Sequence, residues 1–236
     1  MPEIEDSNII DAAIGVYQRN PLLRMIVAAH PLVSVVEAGV LGGYEWYRNR
    51  RMHVFGKEVV ALNIDPPEER IRQRDFLDAY SACARRVLET TSDEKIKDFA
   101  ALFASYYEGG VFSSVDHFEE YLAVLHDLSL REIQILIVLH RLETENPLRQ
   151  GENVLQRANR IWGDFAAEVE SRIGAPRAHL PAIMTRLERT GLYTTIVGGY
   201  WDYVGERGHV TPFFEALVEA LKISTPGSPA RERGSE

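Results

Sequence analysis

One face of a predicted helix near the carboxyl end of the chain carries side chains that can contact phosphates. At 100° per residue, a helix over residues 179–190 places its leucines, Ile183 and Met184 on one arc. The opposite arc holds small, polar and basic side chains, namely His179, Ala182, Thr185, Arg186 and Arg189. Such a face lets a helix approach duplex DNA and bind its backbone. We therefore take His179, Thr185, Arg186 and Arg189 as candidate nucleic-acid contacts.

The positive charge of this face is small. Two arginines neutralise fewer phosphates than sequence-specific readers normally do, and Glu188 interrupts the basic arc. The whole chain has a net charge of −9, which disfavours non-specific binding to polyanions. We favour a protein-contact or core-closing use of this helix, with double-stranded DNA binding as the alternative.

A second basic cluster, Arg48, Arg50 and Arg51, follows Trp46 and Tyr47 in a predicted helix. If the cluster has a binding function, its arginines would contact an anion. The alternative is a solvated helix face on which the arginine stems cover apolar surface. We favour the solvated face, because residues 1–128 contain more Asp and Glu than Lys and Arg.

No group of residues in the sequence predicts catalysis. His117 and Glu120 share a helix face, but His126 lies on another face, and a metal site needs three or four convergent ligands. Cys83 lies between alanines in a helix and is expected to be a buried small hydrophobe. Nucleophile-elbow, phosphate-loop and dinucleotide motifs do not occur. We expect a protein that is not an enzyme and has no metal or cofactor.

The sequence also favours a cytoplasmic location. The single cysteine excludes an internal disulfide framework and fits a reducing compartment. The acidic start of the chain lacks the basic region of a secretory signal. The most apolar segment, residues 25–43, contains His30, Pro31 and Glu37, which disfavours a membrane span. A membrane-associated helical protein is the weakest of the three hypotheses.

Helix-start signals divide the first half of the chain. Asp65 and Pro66 predict the N-cap and first position of a helix that runs to about Glu89. Capping-box spacing recurs at Thr91–Glu94 and at Ser129–Glu132. The helix after Ser129 is apolar nearly all round, which is typical of a central buried helix, with His140 as a hydrogen-bonded core histidine.

Residues 192–204 predict a β-hairpin between two helices. Gly191 ends the helix 179–190, and Gly198-Gly199 suits a two-residue turn that pairs Thr194 with Tyr203 and Ile196 with Trp201. Thr211 and Pro212 then start the closing helix. Three helices, a hairpin and a closing helix occur in the order of a winged helix.

The predicted fold class is mainly α, with a helical N-terminal body and a C-terminal winged-helix-like unit that contains one β-hairpin. We predict a helical domain over residues 1–128, the winged-helix-like domain over 129–223 and a disordered tail over 224–236. The tail is assigned from its Ser, Pro and Gly content.

Four stretches together resemble bacterial all-helical proteins of the Abi-alpha type. They are TTSDEKIKDFAALFASYY, HFEEYLAVLHDLSLREIQILIVLHRLE, LPAIMTRLERTGLY and HVTPFFEALVEAL, within about residues 65–222. The resemblance implies a helical body with a winged-helix-like end and a role in phage defence, without catalytic residues. Together with the low positive charge, it favours a protein-interaction or sensor component that binds a protein partner or itself. A DNA-binding regulator stays the alternative.

Overall fold

The computed structural model describes residues 41–62, 64, 66–196 and 207–223, and in this part of the chain the fold is mainly α, as predicted. The helices are α1 (Leu41–Ala61), α2 (Glu68–Ile71), α3 (Arg74–Glu89), α4 (Asp93–Tyr107), α5 (Val115–Asp127), α6 (Leu130–Glu145), α7 (Val154–Glu168), α8 (Leu180–Arg189) and α9 (Pro212–Ile223). A π-helical turn (Val169–Ile173) and a 3₁₀ turn (Arg177–His179) connect α7 to α8, and strands β1 (Tyr193–Thr195) and β2 (Gly208–Val210) precede α9.

The chain divides into two compact units after residue 123. The first unit contains the described residues up to 123 together with 220–223, and the second contains residues 124–219. Within the described part of the chain, none of the helices combines the length and apolar composition that a bilayer crossing requires. The apolar segment up to residue 40 and the predicted tail over 224–236 lie outside the described residues.

Aromatic side chains form the core of the first unit. Phe103 of α4 packs against Phe76 of α3, with ring centroids 5.5 Å apart, and against Phe55 of α1, at 6.2 Å. Cys83 is fully buried in α3, with its Sγ 3.9 Å from the carbonyl oxygen of Phe99, so its prediction as a small core residue is confirmed. Burial raises the pKa of this thiol well above its usual range.

Two predicted helix starts in the first unit are wrong. A helix does not begin at Pro66, because the residue before a proline is biased towards extended backbone and Pro67 follows it. Pro67 itself is extended (φ −62°, ψ 152°), and α2 begins at Glu68. The predicted single helix to Glu89 is also divided, since Gln73 is extended (ψ 138°) between α2 and α3. The N-cap of α4 is Ser92, which accepts the amide of Lys95, rather than Thr91.

The second unit has the helix and hairpin order predicted for a winged helix. The capping box of Ser129 and Glu132 at the start of α6 is confirmed, and most apolar residues of α6 are buried. Leu130 is half-buried, and Ile137 is exposed at 48%. His140 is half-buried and packs edge-on against Phe214, 5.8 Å between centroids, but no hydrogen bond of its ring is found among the described residues.

The hairpin has a different register from the prediction. Thr194 pairs with His209 instead of Tyr203, and Tyr193 pairs with Val210. The predicted turn at Gly198-Gly199 and the partners Trp201 and Tyr203 lie outside the described residues. Two features support the observed register. Gly208 has no side chain, and a Cβ atom there would overlap the ring of Tyr193 and the carbonyl oxygen of Thr194. Tyr193 is itself buried.

The predicted ends of the flanking helices are confirmed. Gly191 follows α8 with a positive φ of 77°, the left-handed conformation expected of a helix-terminating glycine. Thr211 accepts the amide of Phe214 at 3.3 Å and so caps α9, with Pro212 at its first position. Gly191 and Thr211 therefore mark where the chain passes from α8 into the hairpin and from the hairpin into α9.

The packing of Tyr193 over Gly208 predicts an unequal response to two glycine-to-alanine changes. We expect Gly208→Ala to destabilise the protein by at least about 2 kcal/mol, because the new methyl group overlaps a backbone carbonyl and a buried ring. Gly163→Ala is the matched control. Gly163 lies inside α7 with open space around it, so we expect a gain of about 0.5–1 kcal/mol. Urea unfolding measures both, and equal effects would contradict the register.

Candidate nucleic-acid interface

The four candidate nucleic-acid contacts lie where the sequence places them. His179 ends the 3₁₀ turn before α8, and Thr185, Arg186 and Arg189 follow within α8. All four side chains are exposed, while Leu180, Met184 and Leu187 are buried on the opposite arc. The structure therefore brings them together on one accessible face, and their hydrogen-bond partners decide how much of that face is available to a ligand.

Arg186 is bound to two groups of its own unit. Its Nε lies 2.9 Å from Oε1 of Glu132, and its Nη2 donates to the carbonyl oxygen of Asp127 at 3.1 Å. The Glu132 side chain is only 7% exposed, whereas that of Arg186 is 53% exposed. Arg186 is therefore a surface cation that neutralises a buried carboxylate.

The other oxygen of Glu132 belongs to the capping box. It accepts the amide and the hydroxyl of Ser129, at 2.8 and 2.7 Å. The amide of Glu132 in turn donates to the Ser129 hydroxyl at 3.2 Å. One carboxylate oxygen thus has hydrogen-bond donors and the other a cationic partner, and a buried charge needs such partners in order to be tolerated.

Two further side chains of α8 are also bound internally. The Thr185 hydroxyl donates to the carbonyl oxygen of Pro181 at 2.9 Å. Glu188 accepts the amide of Thr195 at 3.1 Å and so ties α8 to β1. Among the four candidates, His179 and Arg189 are those for which the described residues offer no side-chain hydrogen bond or ion pair.

The other arginines of the second unit are mostly used in the same way. Each of the following binds a carboxylate, an amide or a carbonyl oxygen within the unit: Arg131 to Gly174, Arg141 to Glu145 and Glu168, Arg157 to Glu143, Arg160 to Glu152, Arg172 to Glu168, Arg177 to Glu170, and Arg207 to Asn159. A count of basic residues therefore overstates the positive field that the unit presents to a polyanion.

The second basic cluster is not a free anion site either. The side chain of Arg48 lies outside the described residues. Arg50 forms an exposed ion pair with Asp93 at 3.0 Å. Arg51 is buried instead of solvated and donates to the carbonyl oxygen of Leu88. Asp93 and Glu94 line the same pocket as these arginines, so an anion there would meet two carboxylates.

His117 has an aromatic environment. Its ring lies 5.2 Å from that of Tyr121 and 5.8 Å from that of Phe112, measured between centroids. Its Nδ1 faces the amide of Ser113 at 3.4 Å. Across the part of the chain that the structure describes, no three His, Cys, Asp or Glu side chains converge as metal ligands.

A buried acid beside the hairpin was not singled out by sequence reasoning. Glu143 of α6 is buried and lies 3.5 Å from Nη2 of Arg157. Burial raises its pKa from 4.5 to about 7, and nearby Glu215 adds to this, while Arg157 and Val210 act in the opposite direction. In the sequence, the signal for Glu143 is an acidic residue at a core-facing position of an otherwise apolar helix.

Comparison of the chain with family models, with curated proteins and with solved structures gives no match in any of the three.

The Arg186–Glu132 pair predicts a structural cost for removing the arginine. We expect Arg186→Gln to lower the free energy of unfolding by about 1–2 kcal/mol, because Glu132 loses its charged partner while it stays buried. Arg189→Gln is the matched control and should change it by less than about 0.5 kcal/mol. Urea unfolding of both variants is the measurement. Similar values for the two would show that the pair does not stabilise the unit.

Glu143 predicts a loss of stability with rising pH. A carboxyl whose pKa is higher in the folded than in the unfolded chain makes folding less favourable when it ionises. Its contribution is most favourable below pH 4.5 and is lost as the pH rises to about 7. The raised pKa corresponds to a loss on the order of 2–3 kcal/mol.

The comparison with Glu143→Gln isolates this effect. Burial, with Glu94 as a further cause, raises the pKa of Asp98 to about 6, so the parent protein has a second group with the same pH trend. We expect the parent to lose more stability than Glu143→Gln between about pH 5 and about pH 8, measured by urea unfolding. Parallel curves for the two proteins would contradict the assignment.

Proposed function

We propose that this protein is a non-enzymatic protein-interaction component that uses its winged-helix-like unit for protein contact instead of DNA reading. The observation that carries the proposal is the internal use of arginine in the second unit. A DNA-binding module needs several cations that are available to phosphates. On the exposed face of α8, Arg186 is held by a buried carboxylate, so Arg189 is the arginine of that face for which the described residues offer no partner.

The proposal includes self-association as the contact to test first and phage defence as the biological context. The context comes from the resemblance to proteins of the Abi-alpha type. Ile137 is an exposed apolar side chain at the middle of α6. In a two-fold symmetric dimer whose axis passes near Ile137, this residue lies beside its own copy, so a charge introduced there meets an identical charge on the partner.

The alternative is a DNA-binding regulator that uses residues 179–190 and the hairpin. It is favoured by one observation, the accessibility of His179 and Arg189 on the same face as Arg186. Arg189→Glu is the variant that tests it, because Arg189 can be changed without disturbing Glu132. Charge reversal at Arg186 is unsuitable, since it places a second carboxylate beside a buried one.

Two measurements on the purified full chain decide between these functions. Fluorescence anisotropy of labelled duplex DNA should show no binding at physiological salt. Sedimentation velocity should show a concentration-dependent increase in mass that Ile137→Asp weakens, while Leu148→Asp, at an equally exposed leucine outside the helices, leaves it unchanged.

The opposite pattern overturns the proposal. Salt-sensitive binding to duplex DNA that Arg189→Glu abolishes, in a protein that stays monomeric at every concentration, would establish the DNA-binding alternative. The biological context has a separate test, the efficiency of phage plating on bacteria that express the parent chain or Ile137→Asp. Equal plating with and without the parent chain would exclude phage defence.

A further inference from the structure

The contact between Arg186 and Glu132 occupies the same donors that a phosphate would bind. A guanidinium donates to carboxylate and phosphate oxygens with the same planar arrangement of N–H groups. Nε of Arg186 forms an ion pair with Glu132 and Nη2 donates to the carbonyl oxygen of Asp127, yet 53% of the side chain remains exposed. Arg186 is therefore accessible from solvent, while the carboxylate of Glu132 balances its charge.

The surroundings of Arg186 suit a phosphate backbone. Arg189 and His179 lie three and seven residues away, which places them on the same exposed side of the helix. Ala182 and Thr185 between them are short, so they do not obstruct a flat approach by a duplex. The acid nearest in sequence, Glu188, is bound to the amide of Thr195.

We propose that Glu132 is an autoinhibitory counterion that masks a latent nucleic-acid-binding face formed by Arg186 and Arg189. With Glu132 charged and in place, the face carries too little free positive charge to bind a duplex. When the carboxylate is withdrawn or replaced by an uncharged side chain, Arg186 and Arg189 together contact successive phosphates of one duplex. The inference goes beyond the proposed function, because it assigns the second unit a ligand that the parent chain does not bind in its resting form.

The capping box allows the charge of Glu132 to be removed without loss of the helix cap. Glutamine at the third helical position also satisfies a capping box, so Glu132→Gln removes the charge and keeps an acceptor for Ser129. Glu145→Gln is the matched control in the same helix. It removes the same charge from another arginine pair, yet Arg141 keeps its second partner, Glu168.

The experiment is an anisotropy titration of a short labelled duplex at several salt concentrations. We expect Glu132→Gln to bind about tenfold more tightly than the parent chain at low salt, with the slope of log K against log salt steeper by about one. Glu145→Gln should gain less than about twofold, and adding Arg186→Gln to Glu132→Gln should cancel the gain. Equal gains for Glu132→Gln and Glu145→Gln, or no gain for either, overturn the proposal.

A second variant keeps the test decisive if Glu132→Gln does not fold. Thr185→Arg adds an arginine to the exposed face without touching Glu132 or Ser129. We expect it to tighten duplex binding about as much as unmasking Arg186 does. Absence of any gain would show that this face does not meet a duplex. Binding by the unaltered chain at physiological salt would instead contradict the proposed function, so the two failures are distinguishable.

Discussion

Glu132 is buried at the first turn of α6, and each of its carboxylate oxygens has a partner within the second unit. One oxygen completes the cap with Ser129, and the other holds Arg186 of α8. A buried charge without such partners costs several kcal/mol, so the position of α8 and the start of α6 are fixed together. The exposed face of α8 is oriented by this contact.

Pairing of arginine with acceptors of the same unit also occurs in the rest of the second unit, where arginine serves mainly as a structural residue. Arg160 shows how, since its guanidinium binds Glu152 at 2.8 Å and also reaches Asn146 and Pro147. The polar loop between α6 and α7 is thereby attached to α7. A surface built in this way is rich in charge but weak in net field, which suits specific contact with another protein better than attraction to a polyanion.

The hairpin illustrates how packing overrides local pattern. Two adjacent glycines and β-prone residues on either side indicated a two-residue turn, a signal that depends only on neighbours in sequence. The observed partner of Thr194 is His209, because Tyr193 is buried against Gly208 and the second strand lies directly before α9. Sheet register depends on which side chains reach the core, and that is a property of the assembled unit.

The sequence by itself determined the mainly α class, the cap of α6 at Ser129, the end of α8 at Gly191 and the exposed arc of His179, Thr185, Arg186 and Arg189. These features depend on residues within one or two turns of one another, so short-range rules suffice. Only the tertiary structure decided that Arg186 belongs to Glu132 and Asp127, the latter 59 residues away, and that Glu143 is buried beside β2. Hydrogen bonds and burial across such distances arise when helices pack, and no local pattern specifies them.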